Sequence, residues 1–415
     1  MSRNIKIFIV TLCIVFVGGM GLALLYVANN NERAALRESA EVAAAVDEDI
    51  RAASVDMAVS QNETDATVSA NEPSVSSDEA IYADEPYTKV IEPSTEGELT
   101  ISFAGDVLFD PGYAIFSSYK ARGCDINQCI SADLLEKMRS ADIMMVNNEF
   151  PYSDRGAPLA DKMYTFRAQP ESVALLDDMG VDIVALANNH TFDYGEEAFL
   201  DTLDVLSNAN MPYVGAGHNI EEATQPYYFV AGGKKIAILS ATQIERYANP
   251  HTRGATEDSC GVFRCMDPQL LIDTITEVKK ECDFVIVYIH WGTESTDELD
   301  WAQEPQAQQY ADAGADLIIG DHPHVLQEIG YKGDTPVIYS LGNYWFNSKT
   351  MDSCIVTLTL NLEDASIKSL RFEPCLQSNM SVALLHDSEK ARVINYMRSI
   401  SDSANIDDDG YVTAK

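Results

Sequence analysis

Positive charge is what this chain has least of. Its 415 residues hold 28 Lys and Arg against 65 Asp and Glu, a formal charge of −37. That balance excludes a nonspecific nucleic-acid binder and opposes a polyanion lying broadly on the surface, so any anionic substrate needs a local cation or metal. Histidine is sparse, with 7 in all. No G-x-S-x-G elbow occurs, which leaves a serine-nucleophile mechanism without support. No internal repeat is visible.

Long apolar runs are missing except for one. Residues 7–27 are nearly unbroken in their hydrophobicity, long enough at about 1.5 Å per residue to span a hydrocarbon core of roughly 30 Å. Arg3 and Lys6 precede the run, so the positive-inside rule predicts a single-pass anchor over residues 1–28, located at the cell membrane with an extracellular C-terminal domain. Residues 29–97 are rich in Ala, Glu, Asp, Ser and Asn and poor in large apolar residues, which predicts an acidic stalk and disordered linker. A folded domain over 98–380 and a C-terminal helix with a polar tail over 381–415 follow. Cysteine is limited to 8 residues. Cys124 and Cys129 form one C-x4-C pair, and Cys260 and Cys265 another. In an exported domain such pairs predict disulfides ahead of a zinc site, closed locally or across the two pairs. Cys354 and Cys375 flank a predicted hairpin and form a third candidate pair, while Cys282 reads as buried.

What the chain does have is polar residues placed at strand ends. Apolar, β-branched runs at 99–104, 143–146, 181–187, 284–289 and 315–319 read as buried strands. Each is followed by a polar cluster: Gly105-Asp106, Asn147-Asn148-Glu149, Asn188-Asn189-His190 with Asp193, His290-Trp291-Gly292, and His322-Pro323-His324. Helical patterns at 134–138, 170–179, 196–209, 269–282 and 301–313 alternate with the strands, predicting βαβ crossovers and an α/β fold. Ligands collect at the carboxyl ends of strands in such sheets. Asp, Glu, Asn and His delivered to one rim make a donor set for a divalent metal. Asp106 suits a hard oxygen ligand, Glu149 can share two oxygens between ions, Asn189 offers a neutral carbonyl, and His290, His322 and His324 supply imidazoles. The x-Pro-x spacing suggests that the last two share one side of an extended segment.

These motifs, with Tyr339-Ser340-Leu341-Gly342-Asn343, resemble the CapA family of capsule and poly-γ-glutamate synthesis proteins. The resemblance covers about residues 99–346. It implies a calcineurin-like metallophosphoesterase fold, a sandwich of two β-sheets flanked by helices. It also implies metal ligation by Asp106, Glu149, Asn189, His290, His322 and His324 (manganese, zinc or iron, one or two ions), and catalytic roles for His190 and Asp193. Substrate contacts are expected from Arg167, as the local cation, and from Trp291, Glu294 and Asn343. Two departures stand out. Leu108 occupies a position where the phosphoesterase pattern commonly has His, and Asp110-Pro111 replace an expected Arg.

The functional expectation is a membrane-anchored, extracytoplasmic protein of capsule polymer synthesis and export with a divalent-metal hydrolase site. Its expected partners are the membrane, polymer synthase subunits, and an anionic polymer or phosphoester substrate. A non-catalytic assembly or export factor is the alternative, and amide hydrolysis on the polymer a third reading.

Overall fold

The computed structural model describes residue 82 and residues 85–160, 162–244 and 252–415. It contains two mixed β-sheets flanked by helices. The first follows the order β1 (Thr88–Val90), β7 (Tyr227–Ala231), β8 (Lys234–Thr242), β10 (Phe284–His290), β11 (Leu317–Asp321), β13 (Thr335–Ile338), β12 (Ile329–Lys332). The second runs β17 (Ser381–Leu384), β16 (Ser366–Ser378), β15 (Met351–Asn361), β2 (Glu98–Val107), β3 (Ile143–Asn148), β4 (Ile183–Ala185), β5 (Tyr213–Val214), with β14 (Asn343–Trp345) beside the end of β2. Two small ladders complete the strands: β6 (Ala216–Gly217) with β9 (Gly261–Val262), and β18 (Ala404–Ile406) with β19 (Val412–Ala414).

Side-chain alternation explains the layering. Leu99, Ile101 and Phe103 of β2 meet Ile236, Ile238, Phe284, Ile286 and Leu317 of the other sheet in one inter-sheet core. The opposite face of β10, Val285, Val287 and Ile289, packs beneath the helices Gln269–Val278 and Gln303–Ala313. With both faces covered, β10 is buried along its whole length and reads as a continuous apolar run. The helices Ala114–Ala121, Ala132–Ser140, Ala174–Met179 and Gly195–Asn208 cover the outer face of the second sheet. Gly180 and Gly314 end their helices at positive φ, the left-handed cap that glycine adopts without a Cβ penalty.

Several expectations require correction. The apolar run at 7–27 lies outside the described residues, and among the described residues no helix is long and apolar enough to cross a membrane. The single-pass topology, the membrane and synthase-subunit partners and the outward-facing location therefore have no described element behind them and are withdrawn. The linker ends earlier than residue 97, because β1 already pairs in parallel with β7. The polar tail instead forms the β18–β19 hairpin after the helix Asp387–Ile400.

The disulfides are corrected as well, since no disulfide joins any two of the described cysteines. Strand alternation gives the reason for one pair. Cys354 enters the inter-sheet core while Cys375, on the neighbouring strand, enters the core on the other face. Cys260 and Cys265 likewise belong to different cores. Cys129 is buried, whereas Cys124 is exposed in a turn at φ 56°.

Candidate metal centre

The carboxyl ends of β2, β3 and β4 from one sheet and of β10 and β11 from the other open onto one buried site. Asp106 is wholly buried at the end of β2 and accepts from Asn147 Nδ2 at 2.7 Å. Its other oxygen faces His324 Nδ1 at 2.9 Å, and Asn343 Oδ1 lies 2.8 Å from the same nitrogen. Such a pair of acceptors holds the proton on Nδ1 and leaves Nε2 for a ligand. Asn188 is the internal brace. Its Oδ1 accepts from the backbone amides of His190 and Thr191, each at 3.0 Å, and its Nδ2 donates to Asn147 and to the Asn148 carbonyl.

Lone pairs converge at the centre. His290 Nε2 lies 2.8 Å from Asn189 Oδ1, 3.1 Å from His322 Nδ1 and 3.5 Å from Glu149 Oε1. Glu149 is fully buried and neither of its oxygens has a hydrogen-bond partner. An unpaired buried carboxylate is too costly to persist without a cation or a proton. Two three-residue groups have their donor atoms within 4.8 Å of one another: Asp106, Glu149 and His290, and Glu149, His322 and His324. Glu149 belongs to both, as a bridging carboxylate would. The residues present therefore fit a divalent ion.

Protonation follows the same crowding. Burial would raise Asp106, but the hydrogen bond and charge of His324 outweigh it and bring the carboxyl down to about 2. Glu149 and Asp321 are pushed well up, first by burial and then by the charge of Asp106. Burial drives His290 down to about 3 and His322 well below its ordinary value, so both imidazoles are held in the neutral form at physiological pH. His324 is raised because Asp106 outweighs its burial.

His190 sits beside this centre. Its Nδ1 contacts Asp193 Oδ2 at 2.6 Å, which turns Nε2 toward Glu149 Oε1 at 3.9 Å. Phe166 lies on the imidazole, with ring centroids 4.2 Å apart, and Phe346 lies on His324 at 5.0 Å. The two phenyl rings also meet each other, at 5.4 Å, and His190 beneath them is buried while His324 stays partly exposed.

The six expected ligands and His190 and Asp193 thus come together. The expected substrate contacts mostly do not. Trp291 is fully buried, bonded through Nε1 to the Tyr339 carbonyl at 2.9 Å and stacked on the Tyr339 ring. Arg167 stands over the Tyr194 ring at 4.2 Å and donates to the Arg155 carbonyl. Asn343 orients His324, and Glu294 is an exposed residue whose charge acts on His324. His322 and His324 are not on an extended segment, since both have positive φ, 99° and 59°.

Two further charged residues, buried at this centre, were not among the expected site residues. Asp321, fully buried and bonded by Tyr288 Oη at 2.9 Å, precedes His322 in the same motif, so its neighbours were the available signal. Lys162, whose ammonium contacts Asp193 and the Asn189 carbonyl, lies in an irregular loop that gives no signal.

Residues 100–348 match the family model described as bacterial capsule synthesis protein PGA_cap. This chain belongs to that family. Among its relatives, the PGA biosynthesis protein CapA of Bacillus subtilis is 32% identical over 281 residues, 66% of this chain and 71% of the relative. The capsule biosynthesis protein CapA of Bacillus anthracis is 30% identical, over 62% of this chain and 63% of the relative. A phosphatase of Mycoplasma pneumoniae shares 15% identity at a TM-score of 0.43, covering 68% of this chain and 95% of that one. The PGA_cap match spans the Gly105-Asp106, Asn188-Asn189-His190 and His322-Pro323-His324 motifs that build the site.

Proposed function

We propose that this PGA_cap protein is a metal-dependent hydrolase of phosphoester type, serving the capsule polymer biosynthesis for which its relatives are named. The observation that carries the reading is Glu149, a buried carboxylate with two unpartnered oxygens at the meeting point of two donor groups. Asp106, Glu149, Asn189, His290, His322 and His324 would hold manganese, zinc or iron. A divalent ion there supplies Lewis acidity toward an ester oxygen and makes water a nucleophile at neutral pH.

The remaining work falls to the chain's own groups. Asp193 fixes the proton of His190 on Nδ1, so Nε2 is the atom presented to substrate. In its protonated form Nε2 donates to the departing oxygen, and burial, which lowers the imidazole, makes that form a stronger acid. Phe166 and Phe346 exclude water from the transfer. Leu108 lies in the core beneath β14, so the nitrogen ligand common at that position is absent and the Asp106 side of the site is poorer in nitrogen.

Elemental analysis and hydrolysis of bis-p-nitrophenyl phosphate by the full chain test this reading. Wild type should retain metal through desalting and hydrolyse the ester. Glu149→Ala should lose the metal, and His190→Ala should keep it while kcat on a methyl phosphodiester, whose leaving oxygen needs a proton, falls roughly 10²-fold. Metal-loaded wild type inert toward phosphomonoesters and phosphodiesters would overturn the proposal.

A further inference from the structure

Lys162 is a buried cation in an acidic protein, its side chain 7% exposed. Its ammonium contacts Asp193 Oδ1 and donates to the Asn189 carbonyl at 2.5 Å. Asp193 Oδ2 receives both the Phe166 backbone amide, at 2.7 Å, and His190 Nδ1, at 2.6 Å. The two oxygens of one carboxylate are thus divided between a cation and a pair of N–H groups. The chain carrying Lys162 is itself fastened to the His190 loop. The Leu159 amide donates to the Asp193 carbonyl at 2.8 Å, and Gly156 packs so closely on the Tyr194 carbonyl that a Cβ there would sit 2.1 Å from its oxygen. The Ser153 amide donates to the Ala168 carbonyl at 3.0 Å, and the Ala168 amide to the Pro151 carbonyl at 2.9 Å, closing the base of this loop.

From this arrangement we infer that Lys162 is a positioning residue for His190: by holding Asp193 Oδ1 it fixes the carboxylate so that Oδ2 keeps the His190 proton on Nδ1 and Nε2 faces the centre. Removing the ammonium leaves Oδ1 unpaired in a buried site, and the carboxylate is then free to rotate. That rotation releases the imidazole to flip or to place its proton on Nε2. Lys162 touches no reacting atom and acts on His190 through Asp193. It also satisfies the Asn189 carbonyl, which steadies the backbone beside a proposed ligand.

The kinetic part of the test rests on the hydrolase reading and the spectroscopic part does not. ¹⁵N-imidazole NMR of the full chain, with His190 assigned by His190→Gln, reads the tautomer directly. Wild type should show His190 as the Nδ1–H form, and Lys162→Met should show a mixture. Lys162→Arg should restore the single form, and Lys162→Gln, which keeps donors without charge, guards against a variant that fails to fold. In turnover, Lys162→Met should lose about tenfold in kcat on a methyl phosphodiester, whose leaving oxygen needs a proton. It should lose less than about twofold on bis-p-nitrophenyl phosphate, whose leaving group does not. Combined with His190→Ala, Lys162→Met should cost nothing more. A wild-type tautomer retained in Lys162→Met, or equal losses on both esters, would overturn the inference. If wild type hydrolyses neither ester, the hydrolase reading falls and the NMR result still decides Lys162.

Discussion

Gly105 shows how little room the site leaves at a single residue. A Cβ there would lie 1.8 Å from the Gly342 carbonyl oxygen, a backbone atom that cannot swing away. Asp106 follows directly, and its amide is bonded to that same oxygen at 3.4 Å. Gly105→Ala should therefore cost roughly 3 kcal/mol by overpacking, and it should also move Asp106 from its donor position. Urea unfolding together with metal retention measures both, and a variant with wild-type stability and full metal content would show that the close approach is not needed. The positive φ values of His322 and His324 belong to the same scale. Strain of this kind persists where the surrounding contacts over-determine a conformation, and here Asp106, Asn343 and His290 supply those contacts.

At the scale of elements, the strand ends were legible because β-branched runs stop at polar residues. The runs before Asp106, Asn147, His290 and His322 all became strands of the two sheets. Adjacent motifs then gave the ligands, since a strand end aims its last residues at the rim. Contacts made by irregular chain were not legible. Nothing in the residues around Lys162 signals that this loop folds back onto Asp193, and Trp291 beside His290 looks like a pocket residue until the pleat sends it to the opposite side, against Tyr339. The cysteine spacings misled for a related reason. Spacing along the chain says nothing about which face of a sheet a side chain takes, and Cys354 and Cys375 take opposite faces. Reducing agent should accordingly leave the thermal midpoint unchanged, and the seven described cysteines should titrate as thiols in denaturant. A midpoint several degrees lower under reduction would reveal a closed bridge.

On the scale of the whole molecule, the donors come from both sheets, so an ion would hold the sandwich together at its rim. The direction of the pH effect follows from the carboxyls. Glu149 and Asp321 are raised, so above the ordinary carboxyl range these two groups hold protons in the metal-free folded state that the unfolded chain has lost, and their contribution to stability falls as pH rises through that window, while the lowered His290 and His322 act in the opposite sense below the ordinary histidine value. His324, also raised, adds a loss of the same sign above its ordinary value. A cation replaces these protons, so binding should release them and tighten with pH. Manganese or zinc at a hundred times its neutral-pH Kd should stabilise the fold by about 2.7 kcal/mol there, and the same concentration should give a larger rise in thermal midpoint near pH 8 than near pH 5. An equal or larger rise at the lower pH would contradict this account.

Residues 339–342 carry the backbone from β13 in one sheet to β14 in the other. Leu341 donates to the Gly320 carbonyl on the first sheet at 3.0 Å, and Gly342 accepts from Asp106 on the second. This short crossing works as a spacer gauge. Its residue count fixes how far the β11 donors stand from Asp106, so one residue inserted or deleted there would mis-set the gap between the two halves of the ligand set, even with every ligand still in the sequence.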